Sequence, residues 1–128
     1  MRVAELTEVL LDYWTAVADG RTAKILRAGE RLNGVRLEND VCAALTPGYD
    51  DWWQPHHVTC FTMESIIERE KIATSWAPFA GWWYGCIVGS TVLERKHSMP
   101  GETHLIAAAR AFIASRFGDT VPDEPRAG

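Results

Sequence analysis

The sequence predicts an α+β fold, with two longer helices, one short helix and a small antiparallel sheet of about three to five strands. Apolar residues recur at spacings of three and four in two stretches, near each end of the chain. Between them lie short runs with strand composition, separated by Gly, Pro, Asn and Asp turn signals. Those runs are close neighbours in sequence, which favours antiparallel pairing. The 128 residues are read as one globular domain over 1–118, followed by a polar, proline-rich tail over 119–128 that is expected to fray.

The first helix is expected over about 7–19. Thr7 offers an N-cap, Glu8 places an anion in the first turn, and Gly20 ends the element. Leu10, Leu11, Trp14, Val17 and Ala18 form its apolar stripe, and Leu6 with Leu11 has the spacing of a hydrophobic staple. The next segment reads as short strands near Ala23–Arg27 and Val41–Leu45. Between them Asn33-Gly34 signals a two-residue hairpin and Asn39-Asp40 a second turn. TPGYDDWWQPHH reads as a loop because of its Pro-Gly pair, Asp50-Asp51 and Pro55. A short helix follows over about 63–71, capped by Thr62 or by a Ser65–Glu68 box. Ile72–Trp76 and Trp82–Val88 read as paired strands around Pro78 and Ala80-Gly81. A third strand is expected near Thr91–Lys96, with SMPGE as the loop into the last helix. That helix, over about 103–117, has both its ends and its buried face named by sequence. Thr103 caps it, Gly118 closes it, and Leu105, Ile106, Ala109, Phe112, Ile113 and Phe117 define one apolar face.

Composition excludes several function classes. A net charge of −4, with Arg21, Lys24, Arg27, Arg31 and Arg36 interrupted by Glu30 and Glu38, disfavours a phosphate-neutralising surface. Nucleic acid is therefore not an expected partner. No apolar run reaches the ~20 residues that span a bilayer, and the opening MRVAELTEVL lacks signal-peptide features. Cys42, Cys60 and Cys86 are odd in number and without C-x-x-C spacing, as expected of reduced thiols in a cytoplasmic protein.

No catalytic residue and no cofactor is assigned. Walker, G-x-G-x-x-G and G-x-S-x-G signatures are absent from the sequence. Asp50-Asp51 and Glu68/Glu70 are carboxylate pairs without a desolvated setting. The one metal-like cluster is His56, His57 and Cys60, with His97 or His104 as further ligands. Adjacent histidines in extended chain face opposite ways, so only one of the pair would join Cys60. The remaining chemistry lies in aromatics. Six tryptophans include Trp52 and Trp53, which form a loop group with Tyr49, and the pair Trp82 and Trp83. Such rings either fold back onto a core or carry the energy of a protein interface.

Three longer motifs carry a resemblance. THLIAAARAFIASRFGDTVPDEP is similar to the ending T-P-L-I-A-A-M-R-A-Y-V-A-S-K-F-G-D of a family of small phage and prophage proteins called NinX-like. ELTEVLLDYWTAVADG resembles that family's opening, and SIIEREKIATSWAP its central segment. His104 stands where the family has a proline, and TPGYDDWW departs from the family's loop S-P-S-T-D-W. The resemblance implies a phage-derived accessory protein in the bacterial cytoplasm and, more distantly, an α-β-α sandwich. It transfers no activity to any residue.

The sequence-based expectation is a non-enzymatic module that binds a host or phage protein through Tyr49, Trp52, Trp53, Trp82 and Trp83, and that could pair as a homodimer. Two alternatives stand beside it. One is a metal-binding protein or metal-dependent enzyme using His56 or His57 with Cys60. The other is a small-ligand pocket lined by Trp76, Trp82 and Trp83.

Overall fold

A computed structural model describes residues 1–46, 48–58, 61–88 and 95–122, excepting the side chains at 61, 62, 95 and 96. The α+β expectation holds, with the strands divided among three small antiparallel sheets. After a 3₁₀ turn at Val3–Glu5, α1 runs Glu8–Ala18, and β1 covers Ala23–Leu26. The strands β2 (Arg31–Leu32), β3 (Val35–Arg36), β4 (Val41–Leu45) and β5 (Trp53–Pro55) follow. Then come α2 (Phe61–Glu70), β6 (Ile72–Ala77), β7 (Trp82–Val88), β8 (Arg95–Gly101) and α3 (His104–Phe117). The first sheet has the order β1-β4-β5, β2 and β3 form a ribbon, and the third sheet has the order β6-β7-β8.

Local chemistry accounts for much of this. Asn33 and Gly34 both take positive φ, 52° and 82°, as the two-residue turn between β2 and β3 requires. Thr103 Oγ1 accepts the Ile106 N–H at 3.2 Å, and Gly118 leaves α3 at φ 87°, as its sequence foretold.

Several boundaries differ from expectation. Thr7 occupies the N-cap of α1 but makes no side-chain cap bond, and Glu8 after it is held at φ 50°. Thr62 and Ser65 lie inside α2 rather than before it. The expected loop over 46–57 contains β5, whose Trp53 and Gln54 pair with Leu45 and Ala44. Of the strand expected at Thr91–Lys96, residues 91–94 lie outside the described residues; β8 begins at Arg95 and takes in SMPG, the start of the expected loop. The first residues of the polar tail are held, not frayed. Asp119 O accepts the Val3 N–H, and the Met1 ammonium and Val121 O lie 2.8 Å apart, with Val121 buried.

The main correction concerns α3. Every residue from Ala107 to Ala114 is buried, so the helix has no wet face in its middle and is the hub of the core. One side packs on β6, β7 and β8, another on α1, and α2 lies against it as well. The sheet β1-β4-β5 covers the other side of α1. In order of contact, the layers run sheet, α1, α3, sheet. Gly85 and Gly101 meet the α3 backbone at Ala107, so small residues on both partners set the approach of helix to sheet.

Candidate functional site

Strand alternation decides where the aromatics point. Gly85 and Gly101 face Ala107 of α3. Trp83 lies two residues before Gly85 and opposite Gly101, so it shares that face. Its ring sits 5.7 Å from His104, the first residue of α3, and 5.7 Å from Trp76, its cross-strand partner. Trp82 points to the other face, where its ring meets Tyr84 edge-on at 6.4 Å. The expected pair Trp82 and Trp83 is therefore split across the sheet. Trp76, Trp82 and Trp83 do not line one pocket.

The tip of this hairpin is its most exposed apolar part. Pro78 and Gly81, the latter at φ 77°, form a tight turn closed by the Ala80 and Gly81 N–H groups donating to Ala77 O. The turn lifts Phe79 clear of the molecule, at 106% relative exposure, between Trp76 at 50% and Trp82 at 42%. No charged residue occurs from Ile72 to Val88. Exposed aromatic area without charge is the composition of an interface centre, not of an ordinary solvated loop.

The second aromatic group lies on the other sheet. Tyr49 and Trp52 are both exposed and tilt towards each other with centroids 6.3 Å apart. With Thr46 and Gln54 they line a small cavity of about 270 Å³. Trp53 diverges from Trp52: Lys24 Nζ lies 4.0 Å from its ring centroid, and its carbonyl accepts from Asn33 Nδ2. Among the described residues no ring pair joins this group to the hairpin. The five nominated aromatics thus do not share one surface.

His56 and His57 diverge as alternation requires. His56 is buried at 4% exposure, and its ring nitrogens have no partner among the described residues. Burial, reinforced by the Arg21 charge, holds its imidazole below the ordinary value of 6.5. His57 is half-exposed, with Nδ1 3.3 Å from Asp12 Oδ2. The Val58 N–H donates to Asp12 Oδ1 at 2.9 Å. Burial raises the Asp12 carboxyl, against the opposing pull of that N–H and of His57. The pair opens on a cleft of about 520 Å³ that also carries Glu8, Glu38 and Asp40. Asp40 is held below the usual carboxylate range by the Ala28 N–H and by Arg27.

Cys60 lies outside the described residues. His97 is exposed on β8, and His104 is occupied by Trp83. Among the described residues no group of three His, Cys, Asp or Glu is placed to hold a metal. Burial pushes the Cys42 thiol up to about 12, which makes it a core residue rather than a nucleophile.

His56 has a measurable consequence. The folded protein holds fewer protons at this ring than the unfolded chain does. Its contribution is fully present above pH 6.5 and lost as the pH falls through and below that value. Asp12, shifted upward, works with the opposite sign, since folding favours its protonated form and stability is regained as the pH falls through its raised value. Urea titrations of His56→Gln are expected to show a flatter stability profile just below pH 6.5 than the parent. An unchanged slope would refute this assignment.

The decisive comparison is with known families. A family model described as bacteriophage P22 NinX matches residues 2–116, which takes in every helix and strand up to the last turn of α3. The chain belongs to the NinX family. It is therefore a phage-derived protein, and the resemblance carried by its first helix, central segment and α3 is confirmed. No curated protein matches this NinX-family chain. Among the described residues no helix is long and apolar enough to cross a membrane.

The aspartate of the Asp12–His57 pair was not nominated from sequence. Asp12 falls between apolar positions of α1, and its partners come from a loop 45 and 46 residues away. The only local hint is a carboxylate flanked by Leu11 and Tyr13.

Proposed function

We propose that this NinX-family protein is a non-enzymatic accessory module of the bacterial cytoplasm that binds a host or phage protein through the β6–β7 hairpin. The single observation that carries this reading is Phe79, fully exposed at the turn between half-exposed Trp76 and Trp82. An exposed Phe buries a large apolar area on contact, and interfaces draw most of their energy from a few such anchors. Tyr49 and Trp52 offer a second, smaller patch on the other sheet.

The test is chemical cross-linking in a phage-carrying host, followed by mass spectrometry, with parent and variant chains compared. Phe79→Ser and Trp82→Ser are expected to abolish one cross-linked partner while leaving the melting temperature unchanged, because neither ring supports the core. Trp52→Ala should weaken the same product only where both patches meet that partner. A product that survives both hairpin variants would overturn the reading.

A further inference from the structure

The two edges of the third sheet are built differently. β8 is guarded. It carries Arg95, Lys96 and Pro100, its His97 stands at φ 57°, and the pairing with β7 is interrupted by a bulge between Gly85 and Ile87. Charges, proline and bulges are the devices that stop an edge from recruiting another strand. The Pro100 carbonyl is also occupied by Arg110 Nη1. β6 has none of these. Its sequence, IATSWA, contains no charge and no proline, and among the described residues no strand pairs with its outer side.

The direction of its free groups follows from the pairing. Val88 N–H donates to Lys71 O, which continues the β6–β7 register one residue before Ile72↔Ile87. Lys71 therefore points its backbone at β7, and so by alternation do Ala73, Ser75 and Ala77. Ile72, Thr74 and Trp76 point their N–H and C=O groups outward. These are the groups of a ready template.

We propose that a second copy of this chain adds to that edge, β6 against β6, about a two-fold axis at Thr74. The register follows from the outward groups. Centring on Thr74 places Thr74 opposite Thr74 and Ile72 opposite Trp76, and each of these pairs exchanges both backbone hydrogen bonds. Shifting the centre to Ser75 would set Ile72 against Pro78, which has no N–H to give. The axis stands perpendicular to the sheet, so facing residues share a face. Half-exposed Trp76 gains Ile72 of the second copy, an aromatic–β-branched pair, and the two threonines meet at the centre. On the reverse face Ala73 meets Ser75, both small. The product is one continuous sheet made of two three-stranded halves, with a self-complementary interface. Pairing at the edge leaves Phe79 free, so it stands independently of the contact role of the hairpin tip.

Light scattering on the full chain at micromolar concentration is expected to give twice the 14.3 kDa monomer mass. Thr74→Lys puts like charges directly opposite and should weaken the dimer at least about tenfold. Near-isosteric Thr74→Cys guards against a folding defect. Facing residues of a hydrogen-bonded pair lie about 5.5 Å apart at Cα, within the ~4.4–6.8 Å reach of a disulfide. Thr74→Cys should therefore cross-link on mild oxidation beyond the level of the parent chain. Ser75→Cys should not, because its twin lies about 7 Å further along the strand. Phe79→Ser should remain dimeric, which separates a failure of the edge from a failure of the hairpin tip. A monomeric parent, or equal cross-linking at 74 and 75, would overturn the proposal.

Discussion

Gly101→Ala is expected to destabilise the protein by about 3 kcal/mol or more, near the upper end for overpacked cores. An added Cβ would fall on the backbone nitrogen of Ala107, 2.8 Å from its Cα and 3.0 Å from its Cβ. Gly85 presents the same problem from the neighbouring strand, with a Cβ 2.6 Å from the Ala107 carbonyl carbon and oxygen. A flexible side chain could swing aside, but helix backbone can yield only if α3 lifts from the sheet. That would loosen its contacts with β6, β7 and β8 together. Typical domains have only about 5–15 kcal/mol in hand, so much of the chain should appear in the insoluble fraction. Urea denaturation of the soluble part measures the loss. Ala107→Gly should not rescue it, because the nearest atoms are backbone. Gly101→Ala with parent-like stability would show that the close helix–sheet approach is wrong.

Arg110→Met is the second large effect expected, at about 3 kcal/mol, since hydrogen bonds from a charged group are worth more than neutral ones. Arg110 is 7% exposed and makes no carboxylate bond among the described residues. Its Nε and Nη2 donate to Leu6 O at 3.1 and 2.8 Å, and Nη1 donates to Pro100 O at 2.7 Å. One guanidinium thereby ties the segment before α1, the edge strand β8 and α3 together. Methionine keeps the length of the stem but leaves two carbonyls without their donor, and the melting temperature should fall by about 10 °C. Arg110→Lys should recover only part of this, because a single ammonium cannot reproduce the planar fork. A drop of only a degree or two on differential scanning calorimetry would sink the assignment.

These two residues also mark the limit of what could be read beforehand. The ends of α3 were legible because caps are local: Thr103 and Gly118 act within a few residues of their own positions. Its burial was not. Ala107, Ala108, Ala111 and Ala114 add little to an apolar stripe, yet all are buried, because two glycines on distant strands admit the helix that closely. The role of Arg110 was not legible either, since its acceptors at Leu6 and Pro100 are invisible to any periodicity. The extension of β8 through SMPG was missed because Met99-Pro100-Gly101 reads as a loop, although an edge strand tolerates proline. β5 is too short to announce itself and exists by pairing with β4.

The candidate site divides the same way. Alternation, a rule of two, could separate Trp82 from Trp83 and His56 from His57. The exposure of Phe79 needed the turn. Asp12 needed the loop that satisfies it.

The position of α3 has a consequence for how the chain is made. The helix that both α1 and the third sheet are packed against comes after every strand in the order of synthesis. Until it emerges, β6, β7 and β8 lack the helix they pack against most closely, and the uncharged hairpin stands as an incompletely covered sheet. Folding at the ribosome, where segments form in the order they appear, cannot finish this domain early. The nascent protein must hold an unprotected β6 edge from the moment that strand is made, and close around its centre last.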